Sequence, residues 1–62
     1  MIIVAINKVN QKIYESQSCV TENQIQVVTE NILADAVRDN IEVEIQEMAT
    51  DRDVEQYILG HL

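Results

Sequence analysis

Little in this chain could carry covalent chemistry. Its 62 residues include one cysteine, Cys19, one histidine, His61, and one glycine, Gly60. A single cysteine excludes an internal disulfide. One thiol and one imidazole cannot build a structural zinc site, which takes four Cys or His ligands. A phosphate-cradling loop needs several glycines, so none can form around Gly60. Phenylalanine and tryptophan are absent, which leaves Tyr14 and Tyr57 as the only aromatics. That is too few for a platform on which nucleobases stack. No apolar run approaches the ~18 residues of a membrane span. The opening Met-Ile-Ile-Val-Ala-Ile is too short for a signal-peptide core and no basic segment precedes it, so a cytoplasmic location is expected.

Small size adds a further constraint. A chain of this length buries only about 60% of the surface that its unfolded form exposes. Below roughly 70–80 residues a core usually needs a disulfide, a metal or a partner chain. With the first two excluded, a homodimer is the expectation. The apolar fraction of 47% is ordinary for a globular chain and comes almost wholly from Ile, Val, Leu and Ala.

The net charge is −7, and it is unevenly placed. Lys8, Lys12 and Glu15 are the only charged side chains in the first third. After it come Glu22 and Glu30, then the dense stretch of Asp35, Asp39, Glu42, Glu44, Glu47, Asp51, Asp53 and Glu55, against Arg38 and Arg52 alone. Such a surface repels phosphate backbones and anionic lipid, so neither direct nucleic-acid binding nor membrane binding is expected.

Residues 2–6 are apolar on both faces, the pattern of a strand covered on both sides. A polar stretch follows, with Asn10-Gln11 as a turn tip where Asn would supply positive φ. Ile13 to Val20 reads as a polar second strand suited to a sheet edge. Thr21-Glu22-Asn23-Gln24 is a capping-box pattern opening a helix to about Asp39. Ile25, Val28, Ile32, Leu33 and Ala36 form its stripe, with Val37 at the margin, and Asn40 closes it in a left-handed conformation. Ile41 to Gln46 alternates cleanly, as a half-buried strand does. Thr50 begins a second helix with Asp51 and Asp53 in its first turn, Val54, Tyr57 and Ile58 on its apolar face, and Gly60 as its stop. The expected class is α+β, ordered β-β-α-β-α, with a three-stranded antiparallel sheet of order 2-1-3 in one domain.

Candidate chemistry is thin. Cys19 and His61 are the one possible nucleophile–base pair, and no third group orients them. They read as a core thiol and a surface histidine. Asp51-Arg52-Asp53-Val54-Glu55 loosely resembles the start of a calcium loop, but its sixth and twelfth places hold Gln56 and Leu62 instead of Gly and Glu. No cofactor, metal site or enzymatic activity is expected. Two surface features remain. Glu42, Glu44, Glu47, Asp51, Asp53 and Glu55 form an acidic surface suited to a basic protein partner. Val27, Leu33, Ala34 and Val37 extend the apolar arc of the first helix beyond one stripe, either to meet the second helix or to form a subunit interface.

Together these features point to a protein–protein interaction module, a small regulator or inhibitor of a larger protein. Nucleic-acid mimicry directed at a DNA- or RNA-binding protein and a self-assembling structural subunit are the alternatives. In layout alone, with no shared motif, such short acidic chains resemble accessory and host-takeover proteins of phages and other mobile elements.

Overall fold

A computed structural model describes residues 1–61. The strands β1 (Ile2–Asn7), β2 (Ile13–Ser18) and β3 (Val43–Met48) and the helices α1 (Glu22–Arg38) and α2 (Asp51–Gly60) follow in the order β-β-α-β-α. The sheet has the order β2-β1-β3 with both pairings antiparallel, so the α+β arrangement read from the sequence is the observed one. β1 occupies the centre because only there are both faces of Ile-Ile-Val-Ala-Ile covered; Ile2 through Ile6 are all buried. Ile3 and Ala5 pack with Cys19, Val28 and Ile32 on the α1 side. Ile2, Val4 and Ile6 pack with Ile13, Met48, Val54 and Tyr57 on the other side. The helices therefore cover opposite faces and β1 separates two small cores.

The β1–β2 connection corrects the expected turn. Gln11, not Asn10, adopts positive φ, at 61°. The asparagines act as acceptors instead: Asn7 Oδ1 receives the Val9 N–H at 2.8 Å and Asn10 Oδ1 receives the Lys12 N–H at 2.9 Å. Short amide side chains stabilise turns this way without needing left-handed backbone themselves. The ladder is then interrupted: Ile6 pairs with Ile13 but Ala5 pairs with Glu15. Tyr14 is the extra residue of a β-bulge, which bends β2 at its start.

β2 also ends earlier than the expected Val20. Cys19 N–H donates to the Met1 carbonyl at 2.7 Å and its thiol enters the core. The chain turns out of the sheet immediately afterwards. Val20 is 91% exposed and its N–H donates to Gln24 Oε1 at 2.7 Å.

α1 opens with the expected capping box between Thr21 and Gln24. At its other end Asn40 adopts φ 58°. The Asn40 N–H donates to the Val37 carbonyl and the Ile41 N–H to the Ala36 carbonyl, at 3.1 and 2.8 Å. Both bonds together form a Schellman close, which satisfies two carbonyls that the helix leaves unpaired. That close occupies Ile41, so β3 begins at Val43 rather than Ile41 and runs to Met48, paired with Ile2. α2 opens with a second capping box, Thr50 with Asp53. Gly60 does not stop α2: it is the last helical residue, and His61 takes the cap position at φ −122°.

Candidate interaction surface

All described carboxylates lie at the surface, and no polar or charged side chain is buried among residues 1–61. Arg38 lies 3.3 Å from Asp35 and 3.7 Å from Asp39. This partly neutralises the end of α1 and leaves β3 and α2 as the more acidic side. Asp39 also accepts a hydrogen bond from the Tyr14 hydroxyl, which the bulge directs towards the end of α1. That bond, with lesser contributions from desolvation and neighbouring carboxylates, pushes the Tyr14 phenol up to about 12.

The six acidic residues singled out in the sequence are all exposed, yet they share no single face. Glu44 pairs with Ile6, on the α2 side of the sheet, whereas Glu47 pairs with Ile3, on the α1 side. Glu42 precedes the strand, and its carbonyl accepts the Lys8 N–H. Asp51 and Glu55 are on α2. Asp53 is engaged locally, its carboxylate accepting the Thr50 N–H at 3.3 Å. Only Glu42, Glu44 and Glu47 thus border the outer edge of β3, and Asp51 lies instead beside Ser18, Cys19 and Val20.

The apolar residues divide similarly. Val27, Val37 and Leu33 are 56%, 79% and 41% exposed, and Ala34 is exposed as well. Val27 borders a shallow groove of about 300 Å³ with Gln17, Ser18, Asn23, Gln24 and Val28, on the β2 side. Val37 borders a smaller hollow of about 190 Å³ with Asn40, Ile41 and Glu42, on the β3 side. Leu33, one turn before Val37, shares that flank. Because α2 lies on the opposite face, the broad arc of α1 is not a helix–helix contact. Leu33, expected in the core stripe, lies at its exposed margin.

The two edges of the sheet also differ in their backbone. Lys8 N–H bonds to the Glu42 carbonyl at 3.0 Å, which makes every second pair along β1–β3 a hydrogen-bonded one. In the intervening pairs Val43, Ile45 and Glu47 turn their N–H and C=O groups away from β1. On the β2 side the Cys19–Met1 bond fixes the phase likewise, so Ser16 and Ser18 present the outward groups. The β3 register is continuous along its length, and the β2 register is broken by the bulge.

Sequence reasoning missed a third feature, on the α2 side. His61 stacks on Tyr57 with centroids 4.0 Å apart, and its Nδ1 lies 2.8 Å from the Tyr57 carbonyl. The Tyr57 hydroxyl donates to the Gln11 carbonyl at 2.8 Å, tying α2 to the β1–β2 turn. Lys12, Ile13 and Ile58 complete a groove of about 270 Å³ there. The spacing of Tyr57 and His61, four apart on one helix, was the available signal. Cys19 sits at the opposite end of the sheet, paired with Met1, so the chain keeps its thiol and its imidazole apart. Among the described residues no three His, Cys, Asp or Glu side chains gather as a metal site would require, and no helix is long and apolar enough to cross a membrane. No family model matches the chain, and neither a curated protein nor a solved structure shows significant similarity to it.

Proposed function

We propose that this chain is a non-catalytic protein–protein interaction module of the cytoplasm, a small regulator or inhibitor that engages a larger protein through a basic surface. The observation that supports this reading is the gathering of Glu42, Glu44 and Glu47 about a sheet edge that carries no cation of its own. A net charge of −7, densest about β3 and α2, speeds encounter with a basic partner and discourages acidic ones. The acids leave the edge in two directions, which does not favour mimicry of a regular phosphate ladder.

Retention of proteins from source-cell lysate on the immobilised chain tests the reading. A partner should be held at low ionic strength and released as salt approaches physiological strength, where the screening length falls to about 8 Å. Replacing Glu42, Glu44 and Glu47 together by Lys should abolish retention. Retention indifferent to salt and to those substitutions would overturn the proposal.

A second reading, a homodimer, is favoured by the β2 edge. Its only charged side chain is Glu15, and Val27 stands uncovered beside it. Sedimentation tests this: a closed dimer supports it, whereas concentration-dependent growth indicates a self-assembling subunit.

A further inference from the structure

We infer that the basic partner binds by strand addition, laying an extended segment with alternating basic and apolar side chains along the outer edge of β3. This inference rests on the interaction-module reading and specifies how that module would engage its partner. Three observations carry it, each concerning a different property of the edge.

The first is backbone supply. Val43, Ile45 and Glu47 direct their N–H and C=O groups outward along a register without a bulge. A strand at a sheet edge offers such groups as a template for another chain. The second is charge. Glu44 projects on one side of the sheet and Glu47 on the other, with Glu42 just before the strand. A second copy of β3 laid against this edge would bring three more carboxylates beside these three, whereas Lys or Arg opposite Glu44 would form a cross-strand pair. The edge is therefore biased against itself and towards a basic chain. The third is uncovered apolar surface. Val43 and Ile45 are only half-buried because nothing lies beyond them, and Val37 and Leu33 stand exposed on the adjoining flank of α1. An added strand would place its apolar side chains over these residues on the α1 side and its basic ones opposite Glu42 and Glu44 on the α2 side.

The β2 edge lacks these properties. It is interrupted at Tyr14, and its exposed residues Ser16, Gln17 and Ser18 are neutral. It therefore serves as an internal control.

The experiment uses the whole chain, isotope-labelled, titrated with a short end-blocked peptide of alternating lysine and valine. Two further peptides are compared: one with glutamate replacing lysine, and one with a central proline interrupting the strand. Amide exchange is read residue by residue. The lysine–valine peptide should slow exchange at Val43, Ile45 and Glu47 at least tenfold while leaving Ser16 and Ser18 unchanged. The glutamate and proline peptides should not do so. Glu42→Lys with Glu44→Lys should weaken the lysine–valine peptide by about tenfold, a loss the cross-strand charge pairs would produce. Both side chains are exposed, and an unchanged circular dichroism spectrum checks the fold.

Equal binding of the proline peptide, slowing at Ser16 and Ser18 instead, or no slowing at the three β3 amides would each overturn strand addition. If strand addition fails while salt-sensitive retention of a cellular partner persists, the module reading stands without this mode of engagement. If both fail, both fall.

Discussion

The two faces of the sheet are covered by unequal means. α1 spans 17 residues and buries Val28, Ile32 and Ala36 against Ile3, Ala5 and Cys19. α2 spans 10 residues, buries no side chain fully, and rests on Val54 and Tyr57 with one hydroxyl tie to Gln11. Helices of that length are marginal by themselves, so α2 depends on the few contacts it makes. Cohesion is therefore concentrated on the α1 side, and α2 can open while the rest of the sheet holds.

The largest test of that difference compares truncations on the two sides. Ile32→Ala, at a site with no solvent exposure, should cost 2–5 kcal/mol in urea unfolding, in the range expected for removing a buried aliphatic side chain. Tyr57→Ala should cost less, roughly 1–2 kcal/mol, because that side chain is only partly buried. Equal losses would remove the distinction between the faces. Next in size are the caps. Thr21→Ala and Thr50→Ala each remove a side-chain acceptor worth about 1 kcal/mol. The first should lower global stability, and the second should chiefly hasten amide exchange within α2, since local opening there is already the easier route. Exchange of α2 that matches α1 in the unaltered chain would contradict the comparison directly.

The smallest expected effect lies in alkaline titration. Folding raises the Tyr14 phenol from 10.0 to about 12 by bonding it to Asp39. The protonated form is favoured in the folded chain, so this contribution to stability is complete below pH 10 and is lost as pH rises through about 12. Ultraviolet titration should resolve one late-ionising tyrosine, which Asp39→Asn should bring back towards the ordinary range. An unchanged titration in that variant would break the assignment of the shift to Asp39.

Much of the architecture could be read from local patterns. Five β-branched or small apolar residues in a row marked β1 as central, and Thr-x-x-Gln marked the start of α1 because two orphan amides find partners there at once. Asn40 was recognisable because left-handed backbone tolerates few other residues. What escaped reading was set by pairing. Nothing in Ile13-Tyr14-Glu15 announces a bulge, since its cost and gain depend on the partner strand. Glu47 was grouped with Glu44 by proximity along the chain, although a separation of three along a strand sends the two to opposite faces. Val27 and Val37 were recognised as surplus to one stripe. Which flank each would occupy depended on α2 crossing to the far side of the sheet, a choice made by the whole fold.

The central strand has a further consequence during synthesis. Ile2–Asn7 emerges before the other elements, yet its pairing with β3 requires Val43–Met48. Translation at about 5–20 residues per second leaves several seconds in which one side of an aliphatic strand has only the hairpin partner β2 beside it. Short β-branched runs of this kind are the segments most prone to cross-β stacking between nascent chains. The polar Lys8–Lys12 turn that follows directly, bearing the chain's two lysines, keeps the earliest hairpin positively charged and soluble during that interval. The two lysines of this acidic chain thus stand beside the strand that waits longest for its second partner.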